Sequence, residues 1–211
     1  MGARGATGLK RWTDELKRGD QIANLYRSEV EQAKVVLDLL RWMGEGDKLV
    51  LLTDHWDKPV FRHAILEAAV EEDRLRTLPS YSIMCASGRF DPDAFFLYLA
   101  QEAALVREAG YRHAVLMWEA DWAARSEEEA RSVVEFGARL ALAPLPGEPT
   151  VVAQYCTGAF SPQQAQMQRR SNQLVLEASS LERKFWVVST SSFSSRMKGE
   201  ANIAANEDVQ S

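Results

Sequence analysis

The densest chemistry in the chain lies at Trp118-Glu119-Ala120-Asp121-Trp122, where two indoles flank two carboxylates. Paired carboxylates can divide acid and base roles when their surroundings push their proton affinities apart. A tryptophan buries ~150–250 Å² of surface, so two of them beside a carboxylate also suit the wall of a small-molecule pocket. Tyr26, Trp56 and Tyr155, each at or just beyond the end of an apolar run, can extend that wall. Plain packing competes with this reading: Trp118 in the core, Trp122 over a helix end, one carboxylate capping a helix and the other holding loop amides. If Glu119 leaves the end of a strand between such walls, it either accepts hydrogen bonds, from Tyr155 or Tyr26, or is held protonated by burial. A Glu119→Gln change should then spare the fold.

Other chemistries find less support. A phosphate loop needs Gly-x-x-x-x-Gly-Lys-Ser/Thr, so that bare amides and a lysine surround the phosphates. The first such position reads Tyr26-Arg27-Ser28-Glu29-Val30-Glu31, without glycine or lysine and with two carboxylates. Asp54-His55-Trp56-Asp57 with His63 offers metal-ligating types, but a second cluster at ligand spacing is missing and no metal is expected. Cys85 and Cys156 make no disulfide framework, and there is no Gly-x-Ser-x-Gly elbow for a nucleophile. No cofactor is expected.

The elements that must position these residues alternate. Ile22 to Tyr26 reads as a strand. Ser28 with Glu31 is a capping box, followed by Val30, Ala33, Leu37 and Leu40 on one helical face. Lys48 to Thr53 is a buried-strand run, and Pro59 opens a helix reaching about Arg74. Tyr81 to Cys85 reads as the third strand. Asp91-Pro92 opens a helix carrying Phe95, Leu99, Ala103 and Val106 inward, and His113 to Trp118 is the fourth strand. Ser126 with Glu129 caps a further helix, with Ala130, Val133, Val134, Gly137, Leu140 and Ala141 inward. Thr150 to Tyr155 is the fifth strand, Ser161-Pro162 starts a helix, and Lys184 to Val188 is the sixth strand. Strands alternating with amphipathic helices predict an α/β fold: a doubly wound, mostly parallel sheet with helices on both faces. In such sheets ligands sit outside the carboxyl ends of the strands, where the aromatic and acidic residues above fall.

Several of these segments, in this order, resemble the MEDS domain, the methanogen/methylotroph, DcmR sensory domain. They are Gly19-Asp20-Gln21-Ile22 with Leu25-Tyr26 and Glu31, Gly44-Glu45-Gly46-Asp47, and Gly88-Arg89-Phe90-Asp91-Pro92-Asp93. Trp118 to Trp122 falls on that family's Gly-Glu-Met-Ser-Trp, matching Glu119 and Trp122, and Gln154-Tyr155 with Phe160 falls on its Cys-Gln-Tyr and downstream Phe. The resemblance runs from about Gly19 to Val188. It implies a RecA/KaiC-like fold without a working phosphate loop, and a non-catalytic sensory role. That role is binding a small, hydrocarbon-derived organic ligand and signalling to a regulatory partner. The ligand-binding residues it implies, with those read from the strand ends, are Asp20, Gln21, Tyr26, Trp56, Glu119, Trp122, Gln154 and Tyr155. Three positions depart from the family: Gln21 replaces its usual His, Ala153 its Cys, and Trp118 its Gly, so, if that His touches ligand, either the ligand here differs from the family's or binding is lost.

Composition narrows the rest. With 211 residues, 46% hydrophobic and 26% charged, the chain is of ordinary globular make-up and one domain in length. The expected organisation is a basic flexible leader over 1–18, a sensory domain over 19–190 and a polar tail or linker stub over 191–211. A formal net charge of −5 has the wrong sign for general nucleic-acid affinity. No apolar run reaches the ~20 residues of a membrane span, and residues 1–6 carry no signal-peptide apolar stretch. A cytoplasmic homo-oligomer, most simply a twofold dimer, is expected. Two alternatives to the sensor are a protein-protein scaffold on a former ATPase fold, and an enzyme acting on a small molecule through Glu119 and Asp121.

Overall fold

In the computed structural model, which describes residues 11–69 and 71–184, seven strands form one sheet in the order β3-β2-β4-β5-β1-β6-β7. The strands are β1 (Gln21–Tyr26), β2 (Asp47–Leu52), β3 (Leu75–Leu78), β4 (His113–Glu119), β5 (Thr150–Cys156), β6 (Leu174–Glu177) and β7 (Ser180–Arg183). All neighbours pair in parallel except β6 and β7, which form an antiparallel hairpin. The helices are α1 (Glu29–Trp42), α2 (Pro59–Ala68), α3 (Ser80–Met84), α4 (Pro92–Glu108), α5 (Glu127–Leu142) and α6 (Pro162–Ser171). The expected class, a mostly parallel α/β sheet covered on both faces, is the one observed.

Strand alternation divides the core in two. One face packs Ile22, Leu49, Leu51, Val115, Met117 and Val152 against α1 and α2; the other packs Ala23, Leu25, Val50, Leu116, Trp118 and Tyr155 against α4 and α5. Helix starts follow their local chemistry. Ser28 Oγ accepts from the Glu31 N–H at 3.3 Å, Asp91 Oδ1 accepts from the Asp93 and Ala94 N–H groups, and Ser126 Oγ accepts from the Glu129 N–H at 3.1 Å. The predicted inward face of α4 holds, with Phe95, Leu99, Ala103 and Val106 all buried.

Several expectations are corrected. Tyr81 to Cys85 is not a strand. Ser80–Met84 is a short helix, and the third strand is Leu75–Leu78, a stretch just after the predicted helix where the sequence marks no element. α2 stops earlier, at Ala68, with Ala69 in the left-handed region. The reason is position in the sheet. β3 is an edge strand paired only with β2, so Arg76 and Thr77 stay exposed and no apolar run marks it. The predicted inner face of α1 is rotated as well. Val30 is 66% exposed, whereas Gln32, Ala33, Val35, Val36, Leu39 and Leu40 face the sheet. Finally, the β6–β7 hairpin turns at Ala178 and Ser179, both at positive φ, without the Asn-Gly or Asp-Gly that marks such a turn. Of the predicted strand over 184–188, Lys184 belongs to no strand and 185–188 lie outside the described residues.

The segment before β1 is packed where it is described. Trp12 and Leu16 are buried against the α1 side, Trp12 Nε1–H donates to Asp38 at 2.8 Å, and Arg18 pairs with the buried Asp47 at 2.8 Å. Trp12, Thr13 and Leu16, read from sequence as part of a flexible leader, are thus buried in the fold, while Arg11, Asp14, Glu15, Lys17 and Arg18 are exposed. Among the described residues no helix is long and apolar enough to cross a membrane.

Candidate ligand site at the carboxyl edge of the sheet

At the end of β4, alternation sends Trp118 to the α4–α5 face and the Glu119 side chain to the α1 face. Glu119 is 1% exposed. Its carboxylate gathers donors from two separate segments: Gln32 Nε2 of α1 at 3.1 Å, and Thr53 Oγ1–H at 2.7 Å, the Asp54 N–H at 2.6 Å and His55 Nδ1 at 3.0 Å from the loop after β2. Burial by itself raises this carboxyl's proton affinity. The hydrogen bonds from His55, Thr53 and Asp54 outweigh burial and hold it below the ordinary glutamate range. An ionised carboxylate only accepts, so His55 Nδ1 carries the proton of that contact. The bond to Glu119, working against partial burial, lifts the imidazole above its ordinary value. The backbone at Glu119 is tied too: its carbonyl accepts from Ser80 Oγ at 2.7 Å.

Asp121 opens a short 3₁₀ turn (Asp121–Arg125) just beyond β4. Its Oδ1 accepts from the Cys156 N–H at 2.8 Å and its Oδ2 from the Tyr26 hydroxyl, so it joins the ends of β1 and β5. Burial, with the Glu119 charge adding to it, raises the Asp121 carboxyl despite those two donors. Burial and the Asp121 charge keep the Tyr26 phenol protonated well above its usual range. Two neighbouring carboxyls are therefore shifted in opposite directions, Glu119 towards the anion and Asp121 towards the acid.

Of the eight residues singled out by sequence, three meet here. Glu119 and Gln154 are joined through Gln32, whose Nε2 also donates to Gln154 Oε1 at 3.0 Å, while Tyr26 bonds Asp121 beside them, near enough for the Glu119 charge to act on its phenol. Trp122 and Tyr155 lie in the core of the other face, Trp122 against Tyr81 and Phe90, Tyr155 against Phe160. The donors expected for Glu119 are corrected accordingly. Tyr155 is across the sheet and Tyr26 donates to Asp121 instead. Trp56 is 49% exposed in the loop after β2. Asp20 and Gln21 stand at the amino end of β1, some five residues and ~16 Å of strand from Tyr26. There Asp20 pairs with Arg183 at 2.8 Å and accepts the Lys17 N–H.

Sequence reasoning missed Gln32 as a site residue. Its signal was a polar residue in phase with Val36, Leu39 and Leu40 on α1, hidden once the helix was phased on Val30. Thr53 and His55 were visible as strand-end residues, but only the fold shows that they meet Glu119. Their position directly after β2, whose neighbour is β4, carries that information. Where a phosphate loop would lie, β1 passes through Arg27 and Ser28 straight into α1, and the Arg27 N–H is taken by Glu31 Oε2 at 2.8 Å. Among the described residues no group of three or more His, Cys, Asp or Glu side chains could hold a metal ion.

This sheet, with its carboxyl-edge cluster and no phosphate loop, has the KaiC-like fold. A KaiC-like protein, PH0186 of the hyperthermophilic archaeon Pyrococcus horikoshii OT3, superposes with a TM-score of 0.50 at 16% identity, over 76% of this chain and 72% of that one. PH0250 of the same organism, the subject of a structural study, superposes with a TM-score of 0.50 at 8% identity, over 82% of this chain and 93% of its own. The family model of MEDS, the methanogen/methylotroph, DcmR sensory domain, matches residues 22–171, and the chain belongs to that family of sensory domains. No curated protein matches the sequence.

Proposed function

We propose that the chain senses a small organic molecule at the carboxyl edge of its sheet and reports occupancy to a regulatory protein partner. The observation that carries this reading is the buried Glu119 carboxylate, whose donors come from α1 and from the β2–α2 loop. A ligand that perturbs this carboxylate changes how a helix and a loop are held together, which is the property a sensor needs. Membership of a sensory family and the absence of a phosphate loop support the same reading. The opposite shifts of Glu119 and Asp121 favour the acid–base alternative, but both carboxylates already hold their oxygens on protein donors. That leaves them better suited to anchoring than to proton transfer.

The test is a thermal-shift screen of small organic compounds, followed by calorimetry of any hit on folded wild-type protein and on Glu119→Gln. Weakening of a hit by about 1–3 kcal/mol in the variant is expected, the cost of losing a buried polar contact. Unchanged affinity in a destabilised Glu119→Gln would make Glu119 a structural brace alone.

A further inference from the structure

The hydrogen bonds around Glu119 dictate the orientation of their neighbours. Because the ionised Glu119 accepts only, Gln32 must present its Nε2 to it, and the same nitrogen donates to Gln154 Oε1. With its oxygen committed to Gln32, Gln154 turns its Nε2 elsewhere. That Nε2 is fully buried and has no hydrogen-bond acceptor. Asn24 lies directly opposite Gln154 in the register of β1 and β5, and its Nδ2 is likewise buried and without an acceptor. Both side chains leave the α1 face of the sheet, because Ile22 and Val152, two residues before them, lie in the core against α1. Neighbouring strands are ~4.8 Å apart, so a single oxygen atom can lie within hydrogen-bond reach of both amides.

An unpaired buried donor costs stability that an apolar residue of similar size would not. Two such donors, side by side on central strands with Gln154 joined through Gln32 to the Glu119 cluster, are a half-made recognition element. We propose that Asn24 and Gln154 form the polar end of a binding site for a small neutral molecule carrying a carbonyl or similar acceptor oxygen. The donors select an acceptor. The Glu119 carboxylate, one side chain away through Gln32, disfavours an anion. Ile22, Val152 and the inner face of α1 supply apolar surroundings for a short hydrocarbon body. This inference rests on the carboxyl-edge reading above and adds the chemistry of the ligand and the residues that recognise it.

The probes are a ketone, an amide and an anion of similar length: 2-pentanone, butyramide and butyrate, added to the full chain. On ¹⁵N-labelled wild-type protein, the side-chain NH₂ resonances of Asn24 and Gln154 should shift with the ketone and the amide and stay put with butyrate. Asn24→Leu should melt at or above the wild-type temperature, since it removes an unpaired donor, and should lose the response to both neutral probes. Retention of the wild-type response in Asn24→Leu, or butyrate bound as well as butyramide, would overturn the proposal. So would the absence of any response to the neutral probes in wild type. If a hit from the wider screen is weakened by Glu119→Gln but leaves the Asn24 and Gln154 NH₂ resonances unmoved, the sensor reading stands and this inference falls. If that NH₂ response persists unchanged in Glu119→Gln, the inference stands without Glu119. Should Asn24→Leu not fold, the wild-type NH₂ resonances alone decide.

Discussion

The two faces of the sheet end in opposite materials. On the α4–α5 side, Trp118 packs edge-on against Phe95 and tilted against Phe136, and Phe90 links Phe95 and Phe136 to Trp122. On the α1–α2 side, one residue further along the same strand, Glu119 is surrounded by amide, hydroxyl, imidazole and backbone donors. One face is held by contact area, which is indifferent to pH and punishes lost volume. The other has an apolar core of its own, but at the carboxyl edge it adds directed bonds to a charge, which respond to protonation and to any molecule that competes for the donors. A sensor needs both kinds of region: a rigid half that keeps the strands in place and a half whose bonding can be rearranged.

The sharpest way to break this comparison is Trp118→Ala. A fully buried indole in an aromatic layer should cost about 3–5 kcal/mol in urea unfolding, with the same cost at pH 5 and pH 8. A loss under ~1.5 kcal/mol would mean the aromatic layer is not the rigid half.

Glu119→Gln should cost less, about 1–3 kcal/mol near neutral pH, because an amide keeps one acceptor oxygen but turns a donor towards other donors. Its cost should depend on pH. The folded-state value of Glu119 lies below the unfolded one, so its contribution is present above the ordinary value of ~4.3 and is lost as pH falls through the lowered value. Asp121 works the other way: its value is raised, so its contribution is present in acid and fades as pH rises through that value. Urea titrations across the acid range should show the wild type losing its advantage over Glu119→Gln as pH drops. An advantage constant with pH would mean that the charge of Glu119 contributes nothing.

His55→Asn should give a smaller effect with the opposite pH sense. The folded value of His55 is raised by Glu119, so the stability it adds is complete below the ordinary value of ~6.5 and declines as pH rises through the folded value. The gap between wild type and His55→Asn should therefore be wider at pH 5.5 than at pH 9. A gap that widens towards alkaline pH would contradict the His55–Glu119 pairing. Least of all should Trp56→Ala matter for stability, within ~0.5 kcal/mol, because that indole is 49% exposed. A larger loss would draw Trp56 into the bonded half.

Much of this was legible in the residues. The capping serines at 28 and 126, Asp91-Pro92 and the apolar runs before Thr53, Glu119 and Tyr155 mark helix starts and central strands, because those signals are local. They sufficed for an α/β sheet with its chemistry at the carboxyl ends. The edge strand Leu75–Leu78 and the hairpin at Ala178-Ser179 were not legible. An edge strand buries too little to carry an apolar pattern, and that turn uses residues that rarely adopt positive φ.

For the site, Tyr26 and Glu119 were selected because each ends an apolar run on a central strand, and Gln154 through the resemblance to the MEDS domain. The sequence could not sort them from Trp122 and Tyr155. Which face a residue takes depends on strand register: Gln154 pairs with Asn24 and Glu119, and a step of one residue sends Tyr155 to the other side. Nor could it place Gln32, whose partner lies 87 residues away, or remove Asp20 and Gln21 to the opposite edge. The resemblance to the family had grouped them with Tyr26, and the extended strand between them holds them apart. Residue type determined what chemistry was present. The parallel order that sets β4 between β2 and β5 decided which of those groups meet.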